Sequence, residues 1–227
     1  YYALLAERQI FGDDYFYHKL YQNAELLKSQ SDKGKGEPLL KENASSLTYY
    51  QKGAWALFIL NKIVGNEVFD KAVQSFLNKY ALKNVKTKNF MDEVKALTEV
   101  DLSQFEEDWL RQSAFKAEQA LSALEESLFI KPYFELIALR ELPVSEKLEK
   151  LDKALSFPVN DYIGQEAIYQ MATQPENENI IPLYKKGFNS GNLLVRQAIA
   201  ESLQDIPLAL KADYESLLKD NSYQTQQ

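Results

Sequence analysis

The 227-residue sequence contains no cysteine and a single histidine, His18. Disulfide bonds, iron–sulfur clusters and thiolate zinc sites are therefore excluded, because each of them needs cysteine sulfur. One imidazole without a cysteine or a second histidine also cannot assemble an ordinary zinc site, so we predict that His18 serves in helix packing or at the surface. The sequence also lacks a phosphate-binding glycine loop, a nucleophilic serine elbow and a His-Glu-x-x-His zinc motif.

Glycine and proline are scarce too, with eight and seven copies, which argues against an all-β protein built on many tight turns. The longest apolar run, 54–60, is far shorter than the roughly 20 residues that span a bilayer. The formal net charge of −7 disfavours a general binder of nucleic acid or anionic membrane, because Lys and Arg provide most of that binding. We therefore predict no nucleic-acid partner and no membrane span.

Helical periodicity runs through the whole sequence, so we predict an all-α fold. Residues 1–11 form a helical pattern that leads into a turn at Gly12, and a second helix is predicted over 15–28. Ser, Gly and Pro between 31 and 46 predict a loop. Apolar residues over 68–80 recur every three or four positions, which is typical of one buried helix face.

Prolines recur every 32 residues in the second half of the chain, at Pro143, Pro175 and Pro207. The surrounding apolar positions keep the same register. Each unit has the length of two short antiparallel helices, and such a period predicts a stack of HEAT- or armadillo-like repeats. The last unit ends at Gln227 without a polar capping repeat, and the first residues have the pattern of a helix interior. We therefore expect both ends to be truncated.

The stretch from Thr48 to Leu60 contains the one feature with catalytic potential. Thr48 and Gln51 have the spacing of a capping box, which predicts that a helix begins at Thr48. Tyr50 then lies in the first turn, where free backbone N–H groups and the positive end of the helix dipole favour a developing negative charge. A phenol there could donate a hydrogen bond to an oxyanion. An aromatic residue at a helix start is usually part of the core, so position alone leaves a structural role open.

The motifs around Tyr50 resemble those of the zinc aminopeptidases related to aminopeptidase N, the gluzincin aminopeptidases. A Tyr-x-Lys-Gly-Ala element at 50–54 is followed by an apolar helix and then by a glycine and a Phe-bearing helix start at 64–69. A Thr-Lys-Asn-Phe element follows at 87–90, and an aromatic-rich stretch closes with Trp-Leu at 109–110. Each element is short, but their order and spacing make the set specific.

The resemblance implies that the parent protein is a zinc metallo-aminopeptidase, which hydrolyses N-terminal residues from peptide substrates. It implies that Tyr50 is the catalytic tyrosine that stabilises the tetrahedral oxyanion, because the spacing to Lys52 and Gly53 fits Tyr50 and not Tyr49. The family's His-Glu-x-x-His pair, its third zinc ligand and its Gly-x-Met-Glu-Asn segment are missing here. The resemblance therefore implies zinc in the full-length parent, no metal bound by this chain, and an inactive fragment.

On this interpretation residues 1–112 are the C-terminal helical half of a gluzincin catalytic domain. Residues 113–227 are then the truncated start of a HEAT-like helical repeat domain. A second interpretation stays open, in which the chain is a non-enzymatic helical-repeat scaffold for protein interactions and Tyr50 belongs to the core. Upstream sequence distinguishes the two, because the peptidase needs a His-Glu-x-x-His motif within about a helix pair's length before Tyr1.

Overall fold

A computed structural model describes residues 1–175 and 177–226. Every regular element within these residues is helical, which confirms the predicted all-α class. None of the described helices combines the length and the apolar character that crossing a bilayer requires. Gln227, the last position of the predicted repeat segment, lies outside the described residues.

The chain forms two compact units, Tyr1–Ser127 and Leu128–Gln227. The segment 113–127 packs within the first of them, where its helix contacts the long N-terminal helix. The predicted assignment of 1–112 to a catalytic domain and of 113–227 to a repeat domain stays a prediction.

The first unit consists of α-helices and two short π-helical turns. In chain order these elements are α1 (Tyr2–Asp32), the first π-helical turn (Leu47–Lys52), α2 (Gly53–Val64), α3 (Asn66–Tyr80), α4 (Thr87–Lys95), α5 (Ser103–Phe105), the second π-helical turn (Glu106–Arg111) and α6 (Ala117–Leu124). The helix α1 is bent at Gly12, whose φ of 87° and ψ of 178° suit glycine because it has no Cβ. The turn predicted at Gly12 is therefore confirmed.

The apolar helix α2 lies in the core of the first unit. Trp55 is fully buried and stacks on Trp109 with 6.3 Å between ring centroids. The indole N–H of Trp55 donates to the carbonyl oxygen of Leu20 on α1, at 3.2 Å. Such aromatic pairs contribute roughly 0.5–1.5 kcal/mol beyond the area that they bury. His18 is buried on the same helix α1.

The capping box predicted at Thr48 is wrong. The helical conformation starts earlier, with the first π-helical turn, where the Ser45 hydroxyl accepts from the backbone N–H of Thr48 at 3.3 Å. Thr48 is fully buried, and its hydroxyl lies 3.0 Å from the Ser45 hydroxyl and donates to the Glu37 carboxylate at 3.2 Å. A carboxylate is a stronger acceptor than a neutral group, so the threonine hydroxyl bonds to Glu37 in the preceding loop. Tyr50 still lies in the first turn.

The second unit is a succession of short helices around its own apolar core. Its elements are α7 (Ile130–Ile137), α8 (Val144–Ala154), α9 (Asp161–Met171), a 3₁₀ turn (Glu178–Ile180), α10 (Ile181–Asn189), α11 (Leu193–Ser202), a 3₁₀ turn (Leu208–Leu210), α12 (Lys211–Ser216), a 3₁₀ turn (Leu217–Lys219) and α13 (Tyr223–Gln226).

The 32-residue period corresponds to recurring helix starts in the second unit. Asn160 caps α9 by accepting from the backbone N–H of Ile163 at 3.2 Å, and Asn192 caps α11 by accepting from Val195 at 3.1 Å. These two helices pack closely, because a Cβ at Gly164 would lie 2.6 Å from a Val195 methyl group. The assignment of these pairs to HEAT-like repeats stays a prediction.

Candidate active site around Tyr50

The Tyr50 side chain projects from the first π-helical turn and is 73% exposed. In the part of the chain that the structure describes, no group forms a hydrogen bond with its hydroxyl. A phenol that is not already bonded can donate to an incoming ligand without first breaking a contact. π-Helical turns occur frequently at functional sites, and this turn carries the candidate residue.

The adjacent Tyr49 has a different environment. Its hydroxyl accepts a hydrogen bond from the backbone N–H of Ala44 at 2.9 Å and donates to the carbonyl oxygen of Lys41 at 3.0 Å. Both partners belong to the loop between α1 and the first π-helical turn. Tyr49 therefore holds this loop through its hydroxyl, whereas the hydroxyl of Tyr50 has no hydrogen-bond partner within residues 1–175 and 177–226.

Lys52 is buried beneath the same turn, with 2% of its surface exposed. Its ammonium group donates to the carbonyl oxygens of Glu37 at 2.8 Å, Gln112 at 2.7 Å and Ser113 at 3.2 Å. We call this arrangement the Lys52 clamp. Burial lowers the pKa of Lys52 to about 8, against an opposing effect of the nearby Glu37 carboxylate. The clamp ties the start of the Tyr50-bearing helix to two separate segments of backbone.

The Glu37 carboxylate holds the loop from the other side of the turn. It accepts from the Lys41 ammonium at 2.6 Å, from the backbone N–H of Ser45 at 2.7 Å and from the Thr48 hydroxyl. The Lys41 hydrogen bond and the Ser45 contacts together lower the pKa of Glu37 to about 2. The loop 33–46 is thus an ordered part of the site.

We predict that Glu37→Gln lowers the melting temperature of the first unit at pH 7. The folded-state pKa of about 2 lies below the ordinary 4.5, so the folded state favours the ionised carboxylate. Its contribution is present above about pH 4.5 and is lost as the pH falls toward 2. Tryptophan fluorescence measures this unit alone, because both tryptophans, Trp55 and Trp109, lie in it.

The matched control is Glu67→Gln, since the Glu67 carboxylate is 81% exposed and pairs only with Lys71 on the surface of α3. Exposed pairs of this kind contribute little, so we expect no change in melting temperature. A difference between wild type and Glu37→Gln that persists undiminished at pH 2 would contradict the assignment.

A groove of about 390 Å³ runs beside Tyr50 on the first unit. The side chains that line it are uncharged, and three of the four predicted motif elements contribute to them. Gly53 belongs to the element at 50–54, and Thr87 and Phe90 belong to the element at 87–90. Leu110 belongs to the closing Trp-Leu pair. Segments that are far apart in the sequence therefore meet at one surface next to the free phenol.

Asp108 was not distinguishable in the sequence from the exposed acidic residues around it. In the structure it is buried, with Lys116 at 2.6 Å and with hydrogen bonds from the side-chain amides of Gln104 and Gln119 at 2.9 and 3.0 Å. Burial alone would raise the pKa of Asp108, but these three partners together lower it. The network holds the second π-helical turn against α6, and Trp109 joins it through Gln119 at 2.9 Å.

No group of three or more His, Asp or Glu side chains suited to a metal ion occurs within residues 1–175 and 177–226. The described residues therefore supply a hydrogen-bond donor and a lined groove, and not a metal centre.

Residues 40–109 match the family model described as the peptidase family M1 domain. No curated protein and no solved structure matches the chain significantly. The matched range includes Tyr50 and the Lys52 side chain, the groove residues Thr87 and Phe90, and Trp109 in the core. The range therefore contains Tyr50 and Lys52, whereas the three carbonyl acceptors of the Lys52 clamp, Glu37, Gln112 and Ser113, lie just outside it.

Proposed function

We propose that this chain is part of an aminopeptidase that removes N-terminal residues from peptides, because residues 40–109 match the peptidase family M1 domain and its motifs resemble those of the aminopeptidase N-like gluzincins. The observation that carries the proposal is the groove at Tyr50. Three of the four motif elements that carry the resemblance line it, and most of its lining residues lie within the matched range.

In this proposal Tyr50 is the catalytic residue that the chain contributes. Its hydroxyl is free and projects beside the groove, so it is able to donate a hydrogen bond to the oxyanion of a tetrahedral intermediate. Donors that are already oriented where negative charge develops give a large part of the rate enhancement in acyl transfer, because they need no reorganisation during the reaction.

The zinc ion that the resemblance implies does not fit the described residues of this chain, which contain no suitable ligand group. We propose that other residues of the parent protein hold it, and we assign to this chain the phenol alone. We therefore expect the isolated 227-residue chain to be inactive.

The full-length parent protein should hydrolyse aminoacyl p-nitroanilides that have a free amino group, and it should leave the matched N-acetylated anilides intact. A metal chelator should abolish the activity and added zinc should restore it. The control is the 227-residue chain alone, which should release no p-nitroaniline. If the parent cleaves no member of a panel that covers acidic, basic, aromatic and small side chains, the non-enzymatic scaffold becomes the better interpretation.

A further inference from the structure

Three side chains of the first π-helical turn are bonded to other parts of the first unit, and Tyr50 of the same turn faces solvent. Thr48 and Tyr49 are bonded to the loop 33–46, and Lys52 is buried beneath the turn, whereas Tyr50 projects outward with an unbonded hydroxyl. Residues two positions apart on a helix point to different sides. The Tyr-x-Lys spacing therefore places the exposed phenol of Tyr50 and the buried ammonium group of Lys52 on different sides of the turn.

We infer that Lys52 is a positioning residue for Tyr50: the Lys52 clamp fixes the phenol relative to the wall of its own groove. This inference rests on the proposed function. It goes beyond that function because it assigns a role to a residue that touches neither substrate nor metal.

The three acceptors in the clamp come from two segments that only the tertiary structure brings together. The carbonyl oxygen of Glu37 belongs to the loop before the turn, and those of Gln112 and Ser113 follow the second π-helical turn. An ammonium group has three N–H donors, so each carbonyl oxygen can receive one. The carbonyl groups beyond a helix end also carry partial negative charge, which a buried cation complements.

Lys52 is the side chain of the turn that reaches the backbone at 112–113, just beyond the groove residue Leu110. Thr48 and Tyr49 bond only to the loop that precedes the turn. The second π-helical turn, which ends just before Gln112, carries Leu110 in the lining of the groove. By joining the turn to the backbone that follows Leu110, Lys52 fixes the position of Tyr50 relative to that part of the groove lining.

The test is a double-mutant cycle in the full-length parent protein, with Lys52→Met and Tyr50→Phe alone and together. A misplacement of about 1 Å can cost roughly 10²-fold in rate, so we expect Lys52→Met to lower kcat by about 10- to 100-fold with KM nearly unchanged. In the Tyr50→Phe background the same change should lower kcat by less than about 3-fold, because the group it positions is gone.

The matched control is Lys62→Met, which removes a lysine from the other end of the same helix, where it pairs with Glu126. We expect wild-type kcat from this variant. Lys52→Arg keeps the charge but replaces three converging N–H bonds by a planar fork, and it should restore part of the kcat that Lys52→Met loses. If Lys52→Met does not fold, the cycle is carried out with Lys52→Arg and judged by the same criterion.

An equal fold-loss in the wild-type and Tyr50→Phe backgrounds would overturn the inference, since it would mean that Lys52 supports the fold in general. Wild-type kcat in Lys52→Met would overturn it as well, while a low kcat in Tyr50→Phe would leave the proposed function standing. Wild-type kcat in Tyr50→Phe itself would instead refute the catalytic role of Tyr50 and the inference with it.

Discussion

Tyr50→Phe in the full-length parent protein is expected to lower kcat for an aminoacyl anilide by about 10²- to 10³-fold, which is the usual cost of removing one oxyanion donor. The substitution removes a single oxygen from a side chain that is 73% exposed and whose hydroxyl has no partner among the described residues. Folding and metal content should therefore stay at wild-type values. The measurement is steady-state kinetics, with zinc content and tryptophan fluorescence recorded on the same samples.

The adjacent tyrosine provides the control for this experiment. Tyr49→Phe removes the same atom from the next residue, but that hydroxyl is bonded to the backbone of Ala44 and Lys41. We expect Tyr49→Phe to lower the stability of the first unit by about 1 kcal/mol, a typical net value for a lost hydrogen bond, and to keep kcat within a few-fold of wild type. The reverse pattern, with a large loss of kcat in Tyr49→Phe alone, would show that Tyr50 has been misassigned.

Gly36→Ala is expected to destabilise the first unit by about 2–3 kcal/mol, toward the upper end of the range for overpacking a closed space. A Cβ at this position would lie 2.6 Å from the carbonyl oxygen of Ser113 and 3.1 Å from the Ser31 hydroxyl. Backbone cannot move aside as a flexible side chain can. The same Ser113 oxygen is an acceptor in the Lys52 clamp. A shift of this oxygen would therefore also disturb its hydrogen bond with Lys52.

The contrasting substitution is Gly53→Ala, at the start of α2. There the nearest atom to an added Cβ is a Leu39 methyl carbon at 3.8 Å, and the backbone is already helical, with a φ of −61°. Alanine loses less backbone entropy than glycine on entering a helix, so we expect Gly53→Ala to stabilise the unit by up to about 1 kcal/mol. Denaturant unfolding followed by tryptophan fluorescence compares the two variants. Equal stability of both would contradict the close approach at Gly36.

Sequence patterns predicted the helical character of the chain and several of its local details. The bend at Gly12 follows from the one residue that adopts its dihedral angles easily. The 32-residue period predicted from the prolines matches the spacing of α9 and α11, whose starts the structure places at Asn160 and Asn192, each bonded to the backbone of the next turn. These features depend on neighbours in the chain, so the sequence contains the information needed to predict them.

The capping box at Thr48 failed for a reason that the local sequence does not contain. The spacing of Thr48 and Gln51 is correct for a cap, but the Glu37 carboxylate reaches the threonine hydroxyl from the preceding loop. A partner 11 residues away competes successfully with the local one because it is charged. The π-helical start of the Tyr50-bearing helix likewise has no signature in the motif.

The sequence by itself determined the all-α class and, through the order and spacing of short motifs that include Tyr50, the relationship to peptidase family M1 that the family model supports over residues 40–109. Only the tertiary structure decided which members of those motifs are free and which are bound: Tyr50 is exposed and unbonded, whereas Lys52, two residues later, is buried. Solvent exposure and the identity of hydrogen-bond partners depend on segments that are distant in the chain. The backbone carbonyl groups of 112–113 complete the Lys52 clamp, and no local pattern could predict that contact.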